Sequence, residues 1–94
     1  MFKKIKGGIS SDEGFSLRVL GRAGLEYKEG NKVMLIDSEM LGDPKIGFAV
    51  ASSSINRWKG SKKKLERNDC LRILNNVKEA LKFEGYEIRV IEKF

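Results

Sequence analysis

The sequence predicts an α+β domain: an antiparallel sheet of about five to six strands, covered on one face by a single long amphipathic helix, with a C-terminal strand after the helix. Three observations carry this. Phe15, Leu17 and Val19 alternate with Ser16 and Arg18, the period-two signature of a half-buried strand, and similar short runs follow before residue 52. From Leu65 the period lengthens. Cys70, Ile73, Leu74, Val77, Ala80, Leu81 and Glu84 recur at i, i+3 or i+4 and make one stripe along a helix. Beyond Gly85, Tyr86–Ile91 alternates again.

In chain order, Met1–Gly8 is a weak first strand, set apart by Gly7-Gly8 and the polar run Ser10-Ser11-Asp12-Glu13-Gly14. Phe15–Val19 leads into a turn bracketed by Gly21 and Gly24 around Arg22-Ala23, and Leu25-Glu26-Tyr27-Lys28 alternates. Gly30-Asn31 suits a two-residue hairpin loop because glycine readily adopts positive φ. The return strand Val33-Met34-Leu35-Ile36 is apolar at every position and reads as central. Asp37–Leu41 and Gly42-Asp43-Pro44 read as a polar corner, with a turn at Pro44. Ile46–Ala51 is a further strand, ended by Ser52-Ser53-Ser54. Ile55–Trp58 and the loop Lys59-Gly60-Ser61-Lys62-Lys63-Lys64 lead to the helix. Its start falls either at a Ser61 cap or within Glu66–Asp69, and Gly85 sits where a C′ glycine would end it.

Ninety-four residues make one domain, residues 1–94, and 40% hydrophobic with 34% charged residues is a globular balance. There is no histidine, which removes histidine-dependent triads, histidine metal sites and the commonest proton shuttle. Cys70, the one cysteine, has no partner for an internal disulfide, which fits a reducing compartment. The basic N-terminus lacks an apolar signal region, and Ile46–Ala51 falls far short of the ~20 residues that cross a bilayer, so a cytoplasmic location is expected.

No arrangement of residues points to catalysis, a metal or a cofactor. Asp37 and Glu39 lie two apart, but without a third ligand they read as a solvated strand end. Cys70 on the helix stripe reads as a small buried hydrophobe. Ser52–Ser54 has no neighbouring base to activate a nucleophile, and the scattered glycines form no phosphate loop. The chain is therefore expected to bind, not to catalyse.

Where it binds is suggested by charge. The net charge is +6, and Arg57, Lys59, Lys62, Lys63, Lys64 and Arg67, against Glu66 alone, supply +5 of it within eleven residues. Trp58 stands in the same segment. Basic side chains beside an aromatic are the minimal footprint of a nucleic-acid binder, with Tyr27, Tyr86 and the phenylalanines as further stacking surface. A solvated loop before a helix is the plainer alternative.

A likeness to known proteins sharpens this. Leu25-Glu26-Tyr27, Ile36-Asp37-Ser38-Glu39, Ala51–Trp58, Arg72–Val77 and Phe83–Ile88 resemble immunity protein 74, a family of small bacterial proteins of polymorphic toxin systems. The resemblance spans residues 14 to 91, and its most specific parts are Ser-Ser-Ile-x-Arg-Trp and the helix running into Phe-x-Gly-Tyr. One departure stands out: the acidic, proline-containing lead into the helix appears here as Gly60-Ser61-Lys62-Lys63-Lys64. The resemblance implies a single-domain, non-enzymatic protein that neutralises a cognate toxin domain by direct binding. Arg57 and Trp58, with Lys59, Lys62, Lys63, Lys64 and Arg67, are the expected contacts. A toxin with a cationic nuclease cleft would instead meet the acidic Asp37, Glu39 and Asp43. The rival reading is a small nucleic-acid-binding or regulatory domain working through the basic 57–67 loop. Strand order and oligomeric state are open at this level.

Overall fold

In the computed structural model, which describes residues 1–21, 24–41 and 47–94, the chain is α+β as expected. Five strands, β1 (Phe2–Ile5), β2 (Gly8–Ser11), β3 (Phe15–Val19), β4 (Leu25–Glu29) and β5 (Lys32–Ile36), form an antiparallel meander in sequence order. A second sheet contains β6 (Ser38–Leu41), β7 (Gly47–Ala51) and β8 (Glu87–Ile91) in that order, with β6 antiparallel and β8 parallel to β7. The helix α1 (Arg67–Phe83) lies between β7 and β8 in the chain, so β7, α1 and β8 form a crossover unit. The expected single sheet is thus two. They part at Asp37, the one residue between β5 and β6.

Alternation explains the core. Ile9, Leu17, Tyr27 and Met34 are direct cross-strand neighbours over β2 to β5, and all are buried. Leu25 and Ile36 form a second buried pair. On α1, Ile73, Val77, Ala80 and Leu81 are the buried stripe, and they join Phe48 and Val50 of β7 in the same cluster. β7 is buried at all five positions, so it takes the central role that the sequence reading gave to Val33–Ile36. β5 is instead an edge strand, and its Leu35 is 48% exposed.

Two strands escape the sequence pattern. β2 runs through the polar stretch after Gly7-Gly8 and offers only Ile9 to the core, and β6 occupies part of the supposed polar corner. Gly8 is required there by crowding: a Cβ at this position would lie 2.0 Å from the Leu17 carbonyl oxygen. The Gly30-Asn31 hairpin forms as expected, with Glu29 opposite Lys32 and Gly30 at φ +58°.

The end of α1 is a Schellman motif. Gly85 has φ +87°, its amide donates to Lys82 C=O, and the Tyr86 amide donates to Leu81 C=O. At the other end Glu66 is the N-cap and makes no side-chain cap bond; Ser61 accepts instead from the Lys63 amide, in a local turn. The expected turns at Arg22-Ala23 and Pro44, the acidic Asp43, and Ile46, where the sequence pattern begins a strand, lie outside the described residues. Among the described residues no helix is long and apolar enough to cross a membrane.

Candidate partner-binding surface

The segment between β7 and α1 is a pinned loop. Ser52–Ser54 forms a single 3₁₀ turn in which Ser54 Oγ donates to Ala51 C=O (2.6 Å) and accepts from the Asp37 amide (2.9 Å). Ser54 therefore ties the corner between the two sheets. Ile55 is buried, and Asn56 Nδ2 donates to Ser53 C=O. The Leu65 amide then donates to Asn56 C=O at 2.7 Å, closing the loop 56–65 on itself, a compact surface loop with adjacent ends. The Lys59 amide donates to Val33 C=O at 2.7 Å and fastens the loop to the edge of β5, and Gly60 at φ +82° turns it back so that the Ser61 amide reaches Trp58 C=O.

Trp58 is half-buried. Its indole stacks on Tyr27 at 6.1 Å between centroids, and Lys32 Nζ lies over the ring at 5.8 Å. Around it opens a groove of about 760 Å³ lined by Trp58, Lys59, Lys63 and Lys64 together with Lys32 and the acidic pair Glu66 and Asp69. Of the expected contacts, Trp58, Lys59, Lys63 and Lys64 thus share one groove. Arg57, Lys62 and Arg67 do not line it, although all three are exposed, and Arg67 belongs to the first turn of α1. Lys32 is a cation that the linear cluster missed, since the hairpin carries it to Trp58 from a distant part of the chain. Glu66 and Asp69 make the groove mixed in sign, and Asp69 in the first helical turn is on the favourable side of the helix dipole.

Most of the aromatic residues pack against one another or the core, although Phe83 is 47% and Phe94 59% exposed. Phe83, Phe2, Phe15, Tyr27 and Trp58 form a continuous series of ring contacts at 5.5, 6.0, 5.6 and 6.1 Å. On the opposite face of the meander, the registered rows are Lys3, Ser10, Ser16, Lys28 and Val33, and Ile5, Gly8, Arg18, Glu26 and Leu35. That face carries no ring. The outer face of the meander therefore offers no stacking platform to the rival reading, which is left with Trp58 in its groove and the exposed Phe83 and Phe94.

A polar network that the sequence reading did not find joins β4 to α1. The buried Tyr27 hydroxyl donates to Glu29 and accepts from Asn76 Nδ2 at 2.9 Å, and Arg72 clasps Glu29 and reaches Asp69 at 3.5 Å. Burial, then the hydrogen bond to Glu29, push the Tyr27 phenol well above its usual range, so it stays neutral. Two signals were present in the sequence. Glu29 follows Tyr27 by two and shares its inward face, which obliges the carboxylate to find a partner. Arg72 and Asn76 are four apart beside the apolar stripe. The network reads as a clamp between sheet and helix. Among the described residues no group of three or more Cys, Asp or Glu side chains gathers in a way that would hold a metal.

A family model described as immunity protein 74 matches residues 19–91, from the last residue of β3 to the last of β8. No curated protein and no solved structure matches the chain.

Proposed function

The chain belongs to the immunity protein 74 family, and from that premise we propose that it neutralises a cognate toxin domain by direct binding, without chemistry of its own. Family membership is the observation that carries the reading; it implies a toxin partner in general and an inhibitory role. The surface around Trp58 supports the location. Interface energy concentrates in a few Trp, Tyr and Arg anchors, and Trp58 with Arg57 supplies two of them on one pinned loop. Backbone and side-chain hydrogen bonds hold residues 55–65 before any partner arrives, so little ordering entropy remains to be lost on association.

We assign the contact to Arg57, Trp58, Lys59, Lys62, Lys63, Lys64 and Arg67, with Lys32 added by the fold. Their charge calls for an acidic patch on the toxin. A toxin that presents a cationic cleft would be met by Asp37 and Glu39, which are exposed at the junction of the two sheets. The cytoplasm of the producing cell is the place where such an inhibitor acts.

Co-expression with the product of the adjacent toxin-like gene tests the proposal. Restored growth and a co-purifying complex are expected, and neither arising with any adjacent toxin would sink it. Retention on single-stranded DNA or RNA, falling as salt rises and lost on changing Lys62, Lys63 and Lys64 to Glu, would favour the nucleic-acid reading instead.

A further inference from the structure

The two sheets leave four strand edges, and natural proteins guard such edges because their unpaired amides and carbonyls template another strand. β1 is four residues long and carries Lys3 and Lys4; β6 is also four residues long and carries Glu39. Along β5, the Lys59 amide closes on Val33 C=O. β8 differs. It is longer, five residues, Glu87-Ile88-Arg89-Val90-Ile91, and its two charges are of opposite sign, so a second copy can complement them where β1 and β6 carry charge of one sign only. Its strand pairing is to β7 on one side. The backbone bonds from outside its own sheet fall just beyond its two ends, Tyr86 N–H to Leu81 C=O before it and Ser53 N–H to Glu92 C=O after it. Val90 is 40% exposed on this strand.

The sequence of the strand says what fits its edge. When a second copy is laid antiparallel with the two-fold axis at Ile88, Ile88 faces its own counterpart and Tyr86 faces Val90. Glu87 of each copy then faces Arg89 of the other. Both charged side chains are exposed and, being two apart, lie on one face. Opposite charges directly across an antiparallel pair stabilise it, and the symmetry provides the pair twice. Moving the axis by one residue, to Arg89, would set Arg89 against Arg89, so charge selects the register as well as the partner. Glu87 also has an interaction within its own chain; a carboxylate has acceptor sites for a second cation. We propose that β8 is a homodimerisation edge, joining two three-stranded sheets into one six-stranded sheet. A strand pair of this length buries less than a standard interface, so the dimer is concentration-dependent. This inference does not depend on the toxin reading.

Sedimentation of the full chain over a concentration series tests it. The wild type is expected to pass from one to two chains as concentration rises. Arg89→Glu, which sets carboxylate against carboxylate twice, is expected to weaken the dimer about tenfold or more. Val90→Lys, which adds the usual edge guard, should act in the same direction. Circular dichroism confirms that each variant is folded. Should either variant fail to fold, amide exchange of the wild type decides: protection over residues 87–91 that grows with concentration supports the edge, and protection independent of concentration overturns it. A wild type that stays monomeric throughout, including one whose β8 is protected only when a toxin is added, overturns the inference. So does a dimer indifferent to both substitutions.

Discussion

Tyr27 joins the core to the polar clamp, and its chemistry can be tested directly. Its ring stacks between Phe15 and Trp58 while its hydroxyl serves Glu29 and Asn76. Tyr27→Phe keeps the ring contacts and leaves the Asn76 donor and one Glu29 bond unmet, so a loss of about 1–3 kcal/mol is expected in urea unfolding. The same substitution should alter the alkaline limb of stability. The folded phenol titrates above the unfolded one, near 10, because burial and then Glu29 disfavour its ionisation. Its contribution is therefore complete below pH ~10 and is lost as pH rises towards the folded value, with a limiting slope of about 1.4 kcal/mol per pH unit. The wild-type minus Tyr27→Phe difference in unfolding free energy should fall above that pH. A flat difference would mean that the phenol is not buried and neutral as described.

At the scale of elements, the helix has one well-made end and one bare end. Gly85→Ala forces a Cβ into a positive-φ position with open space around it, so its cost is conformational and about 1 kcal/mol. Glu66 accepts no amide of the first turn, and Glu66→Asp, which keeps the charge and shortens the side chain to a capping length, should stabilise by about 0.5–2 kcal/mol. Thermal melts of both variants check the two signs. The same contrast shows what was legible in the sequence. The helix stripe, the Gly30-Asn31 hairpin and the Gly85 stop are local patterns with local causes, and each forms where the residues placed it. β2 and β6 are not legible, because a four-residue strand with at most one buried side chain has no periodicity to detect. β5 lies at an edge and not at the centre for a related reason. An apolar run does not say whether a strand pairs on each side, and at β5 one side pairs with β4, the other meets the Lys59 loop, and Leu35 is left 48% exposed.

At the scale of the whole molecule, the charge is local and the surface that bears it is built from distant parts. The linear cluster showed Lys59, Lys63 and Lys64 beside Trp58, but only the fold brings Lys32 over the indole and sets Glu66 and Asp69 across the groove. Trp58 is also a stacking partner of the core, so Trp58→Ala confounds binding with a stability loss of about 3–5 kcal/mol. The exposed lysines do not have this defect. Changing Lys62, Lys63 and Lys64 to Glu should leave the melting temperature within a few degrees, since surface substitutions usually stay within about 0.5 kcal/mol. Calorimetric titration of the adjacent toxin domain into the purified protein is the most direct measurement. The expected result is a saturable complex with the wild type, and with the triple Lys→Glu variant an affinity lower by tenfold or more and more so at low salt. An equally tight complex with the variant would contradict the assigned surface, and no complex with the wild type would contradict inhibition by direct binding.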